Sequence, residues 1–253
     1  MSGHSKWATT KHRKAAQDAK RSALFSKLSR MITVAAKIGG DPDPENNARL
    51  AAAVEKARSY SMPKDKIQAA IDKAFGAGAD ANAYEEIVYE GYGPDGVAIY
   101  VEALTDNRNR TAADVRSAFT RAGGNLAGAG AVAFQFERTG EIVIDKAGAP
   151  DEEELLLLVA DAGGNDLEDN DEEFVVTTDP ADLASVRDAL VAAGVPVKGA
   201  ELSMRPKTPV KVSVETAKKV LRLVDVLEEN DDIQEVYHNM ELTEEIAAAL
   251  DEQ

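Results

Sequence analysis

The chain has 253 residues, 44% apolar and 29% charged, a composition of folded soluble proteins with length for two or three domains. It contains no cysteine, which excludes disulfides, thiolate metal sites and cysteine nucleophiles. The net charge of −16 is uneven: residues 1–37 hold nine Lys or Arg against Asp18 alone, so this end is +8 and the remainder −24. A polyanion is drawn to one end of such a molecule and repelled by the rest.

Residues 1–20 have few large apolar groups and are expected to pack loosely or to order on a partner. From Ser22 a helix is predicted, with Leu24, Leu28, Met31, Ala35 and Ile38 on one stripe and Phe25 and Ile32 beside it. Lys27, Arg30 and Lys37 fall within roughly 80° of one another on a flank of that stripe. Gly39-Gly40 should stop the helix, and Pro44 suits the first position of a second one, buried through Leu50, Val54 and Ala57. Ser61-Met62-Pro63 restarts the chain into a third helix lined by Ile67, Ile71 and Phe75, closed by Gly76-Ala77-Gly78. Residues 1–80 thus read as a basic helical domain with an N-terminal arm.

The pattern then changes to strands. Residues 86–90 and 97–103 form a predicted hairpin around Gly93-Pro94-Asp95-Gly96. A polar loop over 106–110 precedes a helix whose capping box is Thr111 with Asp114, ended by Gly123-Gly124. After a Gly/Ala hinge, residues 132–136 and 141–144 suggest a second hairpin around Thr139-Gly140. A helix (151–162), a strand (173–178), a helix (181–193) and a strand (196–205) follow, with Asp166 the candidate start of one more strand. The tail adds a strand (209–213), a helix through Val220, Leu223, Val224 and Leu227, and a strand over 233–237. The fold class is therefore α+β. Residues 81–133 and 207–242 would form one split α+β domain, with 134–206 a second, acidic α+β domain inserted in it and 243–253 an acidic tail.

The candidate nucleic-acid contacts are cationic. Lys6, Lys11, Arg13, Lys14, Lys20 and Arg21 can meet phosphates, with Lys27, Arg30 and Lys37 continuing along the first helix. His4 and Trp7 supply rings that stack on unpaired bases. Arg108 and Arg110 form a second candidate anion contact before a helix N-terminus, or else pair locally with Asp106, Asp114 or strand carboxylates. Elsewhere acids dominate: residues 145–190 carry fifteen against Lys146 and Arg187, and residues 213–253 carry twelve against Lys218, Lys219 and Arg222. These faces are solvated surface or a docking face for a basic protein. No catalytic constellation is visible: His4, His12 and His238 lack partners at metal-ligand spacing, and there is no Walker motif or nucleophile elbow. The reading is a non-enzyme without cofactor or metal.

The longest aliphatic run, residues 155–160, is too short to cross a bilayer. The N-terminus is basic and Ser-containing like a transit peptide, but Trp7 and the dense pattern after it read as mature protein. A soluble cytoplasmic protein is expected.

Gly3-His4-Ser5-Lys6-Trp7, with Lys11-His12-Arg13-Lys14 and the run to Lys20, resembles the opening signature of the YebC family. Residues 62–65 (Met-Pro-Lys-Asp), 89–94 (Tyr-Glu-Gly-Tyr-Gly-Pro) and 102–111 (Glu-Ala-Leu-Thr-Asp-Asn-Arg-Asn-Arg-Thr) resemble further family motifs in the same order. The resemblance implies three domains: a basic helical one and two α+β domains, one ferredoxin-like and inserted in the other. It also implies a cytoplasmic, non-enzymatic regulator. Bacterial members are described as DNA-binding transcriptional regulators, whereas mitochondrial relatives activate translation and some bacterial ones resemble ribosome-associated factors that relieve stalling. Thr9-Thr10 departs from the family's Asn-Ile, and Ser22-Ala23-Leu24 from Gly-Lys-Ile, which removes one basic side chain.

Three functions follow as expectations: a DNA-binding transcriptional regulator, a translation factor on ribosomal RNA, and a protein-interaction scaffold using the acidic faces. Against duplex DNA, no helix-turn-helix, zinc-finger or basic-zipper pattern is present. An aromatic residue in a basic, apolar-poor arm suits unpaired bases.

Overall fold

The computed structural model describes residues 14–76, 84–170 and 173–251. Helix α1, Lys14–Gly39, begins well before the predicted Ser22 because Lys14-Ala-Ala-Gln-Asp-Ala-Lys20 is a run of strong helix formers. Its end is tied to α2 (Ala48–Ser59) by Asn47. The Asn47 side chain accepts from Leu50 N (3.0 Å) and donates to the carbonyls of Ala35 (3.3 Å) and Asp41 (3.1 Å). A Cβ at Gly39 would collide with this amide, so glycine is required for the approach. Asn47, not Pro44, therefore starts α2, and residues 44–46 are a turn. Helix α3, Lys64–Phe75, follows Pro63. Leu28, Ile32, Leu50, Val54, Ile67 and Ile71 close the helical core. Ile38 and Phe75, both expected on the buried stripes, are exposed because each stands in the last turn of its helix.

The remaining described residues form two antiparallel four-stranded sheets, and the chain is α+β. The first sheet has the order β3-β1-β2-β8, from β1 (Glu85–Tyr92), β2 (Ala98–Thr105), β3 (Asn125–Leu126) and β8 (Ile233–His238). Helices α4 (Arg108–Arg121) and α7 (Val214–Glu228) cover one face, where Ile99, Val101 and Ala103 meet Val115, Phe119, Val220, Leu223 and Leu227. Alternate residues Ala98, Tyr100 and Tyr237 point the other way, against Val132, Phe136 and Met204. The predicted hairpin around 93–96 is present, with Asp95 and Gly96 at positive φ.

The second sheet lies between these strands in sequence. It comprises β4 (Phe136–Asp145), α5 (Glu152–Ala162), β5 (Asp166–Asn170), β6 (Glu173–Thr178), α6 (Leu183–Ala192) and β7 (Val197–Pro206). The strand order β5-β6-β4-β7 with this βαββαβ succession is the ferredoxin-like arrangement.

Two further local expectations fail. Thr139-Gly140 is not a turn: β4 runs straight through it, paired to β6 and β7. Gly140 is there for closeness, since a Cβ would collide with Thr178 Oγ1 and lie 2.9 Å from Leu183 Cβ. Residues 209–213 form one bridge, Val210 to Met240, rather than a strand, because Ser213 caps α7 by accepting from Thr216 N (3.2 Å). Within the acidic tail expected over 243–253, Glu244–Asp251 is helix α8, with Ile246 buried against the first sheet's core.

Glu90 organises the hinge between the sheets. It is buried, and its carboxylate accepts from the N–H groups of Gly130, Val132 and Ala133, each at 2.7 Å. Burial alone would raise its pKa, but these three donors outweigh that and hold it below the ordinary value. Glu90→Gln keeps the size but turns an amide N–H toward a donor; we expect a loss of about 2 kcal/mol, read from urea unfolding.

Candidate nucleic-acid interface

The helical unit α1–α3 is where the sequence concentrates cations, and the structure divides them into two sets. Of the predicted contacts, Gly3, His4, Ser5, Lys6, Trp7, Lys11, His12 and Arg13 lie outside the described residues. Lys14, Lys20 and Arg21 stand in the first turns of α1. Lys37 stands in its last turn, half-buried.

Lys27 and Arg30 turn inward. Lys27 Nζ donates to the carbonyl of Glu228 (2.5 Å) at the end of α7. Burial lowers the Lys27 pKa below its ordinary value, although Glu228, Glu235 and Asp231 pull the other way. Arg30 donates to the Asp231 carbonyl (2.7 Å) and to Asp232 Oδ1 (3.2 Å), and its guanidinium lies 5.3 Å from the Tyr84 ring centroid.

Asp232 is the hub of this contact. It is 4% exposed, and its Oδ2 accepts from Arg110 Nη2 (2.7 Å), Thr111 Oγ1 (2.8 Å) and Thr105 Oγ1 (3.3 Å). Burial would raise the carboxyl's pKa, but the hydrogen bonds from Arg110 and Thr111 and the Arg110 charge hold it below the usual carboxylate range. Arg110 also pairs with Asp106 (2.9 Å), one of the local partners expected for it. Arg108 is exposed, 3.9 Å from Glu85. Both arginines sit in the first turn of α4 rather than on a loop. Asn107 accepts from Arg110 N and caps the helix, which leaves Thr111, the expected cap, buried against Asp232.

Sequence reasoning missed two things. Lys56 of α2 pairs with Glu201 of β7 (3.0 Å) and with Glu235 of β8, and Arg187 of α6 pairs with Glu55. Helix α3 also carries exposed Lys64, Lys66 and Lys73, and Lys66 lies 5.2 Å from the Phe25 ring on α1. Lys66 and Lys73 are seven residues apart, two helical turns, and that spacing by itself puts them on one helix face. The outward-facing cations of the described helices therefore include those on α3 beside the amino-terminal half of α1.

Two other kinds of site fit poorly. Among the described residues, no group of three or more His, Asp or Glu is placed to hold a metal ion. A cleft between α4 and α7, lined by Asp114, Ser117, Arg121, Val226 and Asn230, has about 200 Å³, below the range of sites for drug-sized ligands. No described helix is long and apolar enough to cross a membrane.

Two family models match the chain, the TACO1/YebC protein N-terminal domain over residues 5–77 and the TACO1/YebC second and third domain over residues 84–240. The chain belongs to the TACO1/YebC family. A relative from Rubrobacter xylanophilus, named "Probable transcriptional regulatory protein", is 53% identical over 250 residues, 99% of each chain. One of similar name from Mycolicibacterium smegmatis is 48% identical over 253 residues, all of both chains. The crystal structure of a conserved hypothetical protein from Aquifex aeolicus superposes with TM-score 0.78 at 43% identity, covering 88% of this chain and 91% of that one. The first TACO1/YebC model covers α1–α3, and the second spans both sheets.

Proposed function

We propose that this protein is a nucleic-acid-binding regulator whose phosphate contacts come from the arm before α1, the amino-terminal turns of α1 and the outer face of α3. The observation that carries this reading is the charge asymmetry, +8 over residues 1–37 against −24 over the rest. Such a field orients a polyanion toward the helical end and away from the sheets. The relatives' names, probable transcriptional regulatory protein, support a transcriptional regulator, and on this reading it acts by binding DNA. On this reading residues 1–80, the split unit 81–133 with 207–242, and the inserted 134–206 act as three domains, and the working compartment is the cytoplasm.

A second reading, a translation factor on ribosomal RNA, is favoured by one feature: His4 and Trp7 accompany the cations in the arm. A tryptophan adds about 1–3 kcal/mol where it stacks on an unpaired base and has no such partner on intact duplex. Trp7→Ala should therefore weaken single-stranded RNA binding about tenfold or more if RNA is the target, and leave duplex DNA binding nearly unchanged. Crosslinking in growing cells, followed by sequencing of the captured nucleic acid, decides between them. Promoter fragments establish the transcriptional regulator, and one ribosomal RNA site lost in Trp7→Ala establishes the translation factor. Capture of neither, with regulation intact, leaves the acidic-face scaffold.

A further inference from the structure

The helical unit meets the two sheets through a set of charged and polar contacts. Its core draws only on α1–α3 and Met62, and among the described residues no buried apolar cluster joins it to either sheet. Among the described residues, the contacts that seat it include Lys27 on the Glu228 carbonyl, Arg30 on Asp231 and Asp232, Lys56 on Glu201 and Glu235, Arg49 on Glu86, and Glu55 on Arg187. In four of these five the helical unit supplies the cation and the sheet units supply the anionic or carbonyl oxygen. An interface of this kind, polar and without a shared core, leaves relative motion of its two sides as the default. The Arg49 pair with Glu86 is exposed and holds weakly. The Arg30 and Lys56 pairs are partly buried and little screened by salt, so what displaces their acids is a competing anion brought to the same cations.

We infer that this seat is a polyanion-sensitive latch: the arrangement described is its closed form, in which Lys27, Arg30 and Lys56 are occupied by the chain's own anionic groups. The inference rests on the reading that the helical unit binds nucleic acid. A phosphate backbone arriving at α1 and α3 offers Lys27 and Arg30 the same chemistry that Asp231, Asp232 and the Glu228 carbonyl offer them in the closed form. Binding and seating then compete for the same cations. Opening adds phosphate contacts, and the acidic sheets, which repel the ligand, are released from its vicinity.

The absence of cysteine allows the test on the full chain. Asn46→Cys in the turn before α2 and Ala189→Cys on α6, both exposed, take a donor and an acceptor dye. The probes are an unstructured oligouridylate and a duplex DNA. The latch predicts high transfer in the free protein, a fall in transfer as either ligand saturates it, and tighter binding when the competing acids are neutralised. Asp232→Asn and, at a separate contact, Glu235→Gln should each tighten binding by about threefold to fivefold. Binding with unchanged transfer, and with both variants at wild-type affinity, overturns the latch and leaves the nucleic-acid reading standing. No binding of either probe by the wild type or by either variant overturns that reading, and the latch with it.

Discussion

Replacing Lys11, Arg13 and Lys14 together by Glu should weaken nucleic-acid binding by about a hundredfold or more. Three phosphate contacts are lost and three repulsions replace them, and each contact releases counterions that no longer contribute. The slope of log affinity against log salt should become shallower by roughly 2.7 on duplex DNA or roughly 2.1 on a single strand. Fluorescence anisotropy across a salt series reads both quantities. The control reverses Lys218, Lys219 and Arg222 on α7, which changes net charge equally but at the opposite end of the chain. Equal losses in both variants would show that net charge alone governs binding, and the assignment to the arm would fall. If binding is lost but partner proteins are still retained, the acidic faces have a role of their own.

Asp232→Ala should lower stability by about 3 kcal/mol, mainly by leaving groups behind rather than by losing one ion pair. Arg30 is one-quarter exposed and Arg110 about half exposed, so water screens both and each pair counts for less than a buried one. Thr105 and Thr111 are fully buried, and their hydroxyls lose the Asp232 acceptor. Urea unfolding at neutral pH measures the loss. The pH dependence has a definite sign. Because the folded Asp232 carboxyl lies below its ordinary value, its contribution is complete above the unfolded pKa of about 3.9. It disappears as pH falls through the lower folded value. The wild type should therefore lose more stability than Asp232→Ala between about pH 5 and pH 2, and parallel losses would remove Asp232 from the account.

The elements that local pattern predicts well are those whose cause is local. The stripe through Leu28 and Ile32, the alternation in 97–103 and the Pro-Asp-Gly turn each depend on neighbours a few residues away, and all three are present. The failures have distant causes. Gly140 looks like a turn glycine, yet its role is set by Thr178 and Leu183 across the sheet. Thr111 has the spacing of a cap, yet Asp232 claims its hydroxyl.

The candidate interface divides the same way. Charge belongs to the chain itself, so the sequence alone determined that one end is strongly basic and the rest acidic, that thiol chemistry is excluded, and that α and β elements succeed one another in an α+β order. Only the tertiary structure decided which cations remain outward. Lys27 and Arg30 share a helix flank with Lys37, but Asp232 is 202 positions from Arg30 and Glu228 is 201 from Lys27. Neither partner has any periodic relation to the helix it meets. The chain must close on itself before those acids stand opposite those bases, and that closure follows from how the sheets pack, which no local spacing encodes.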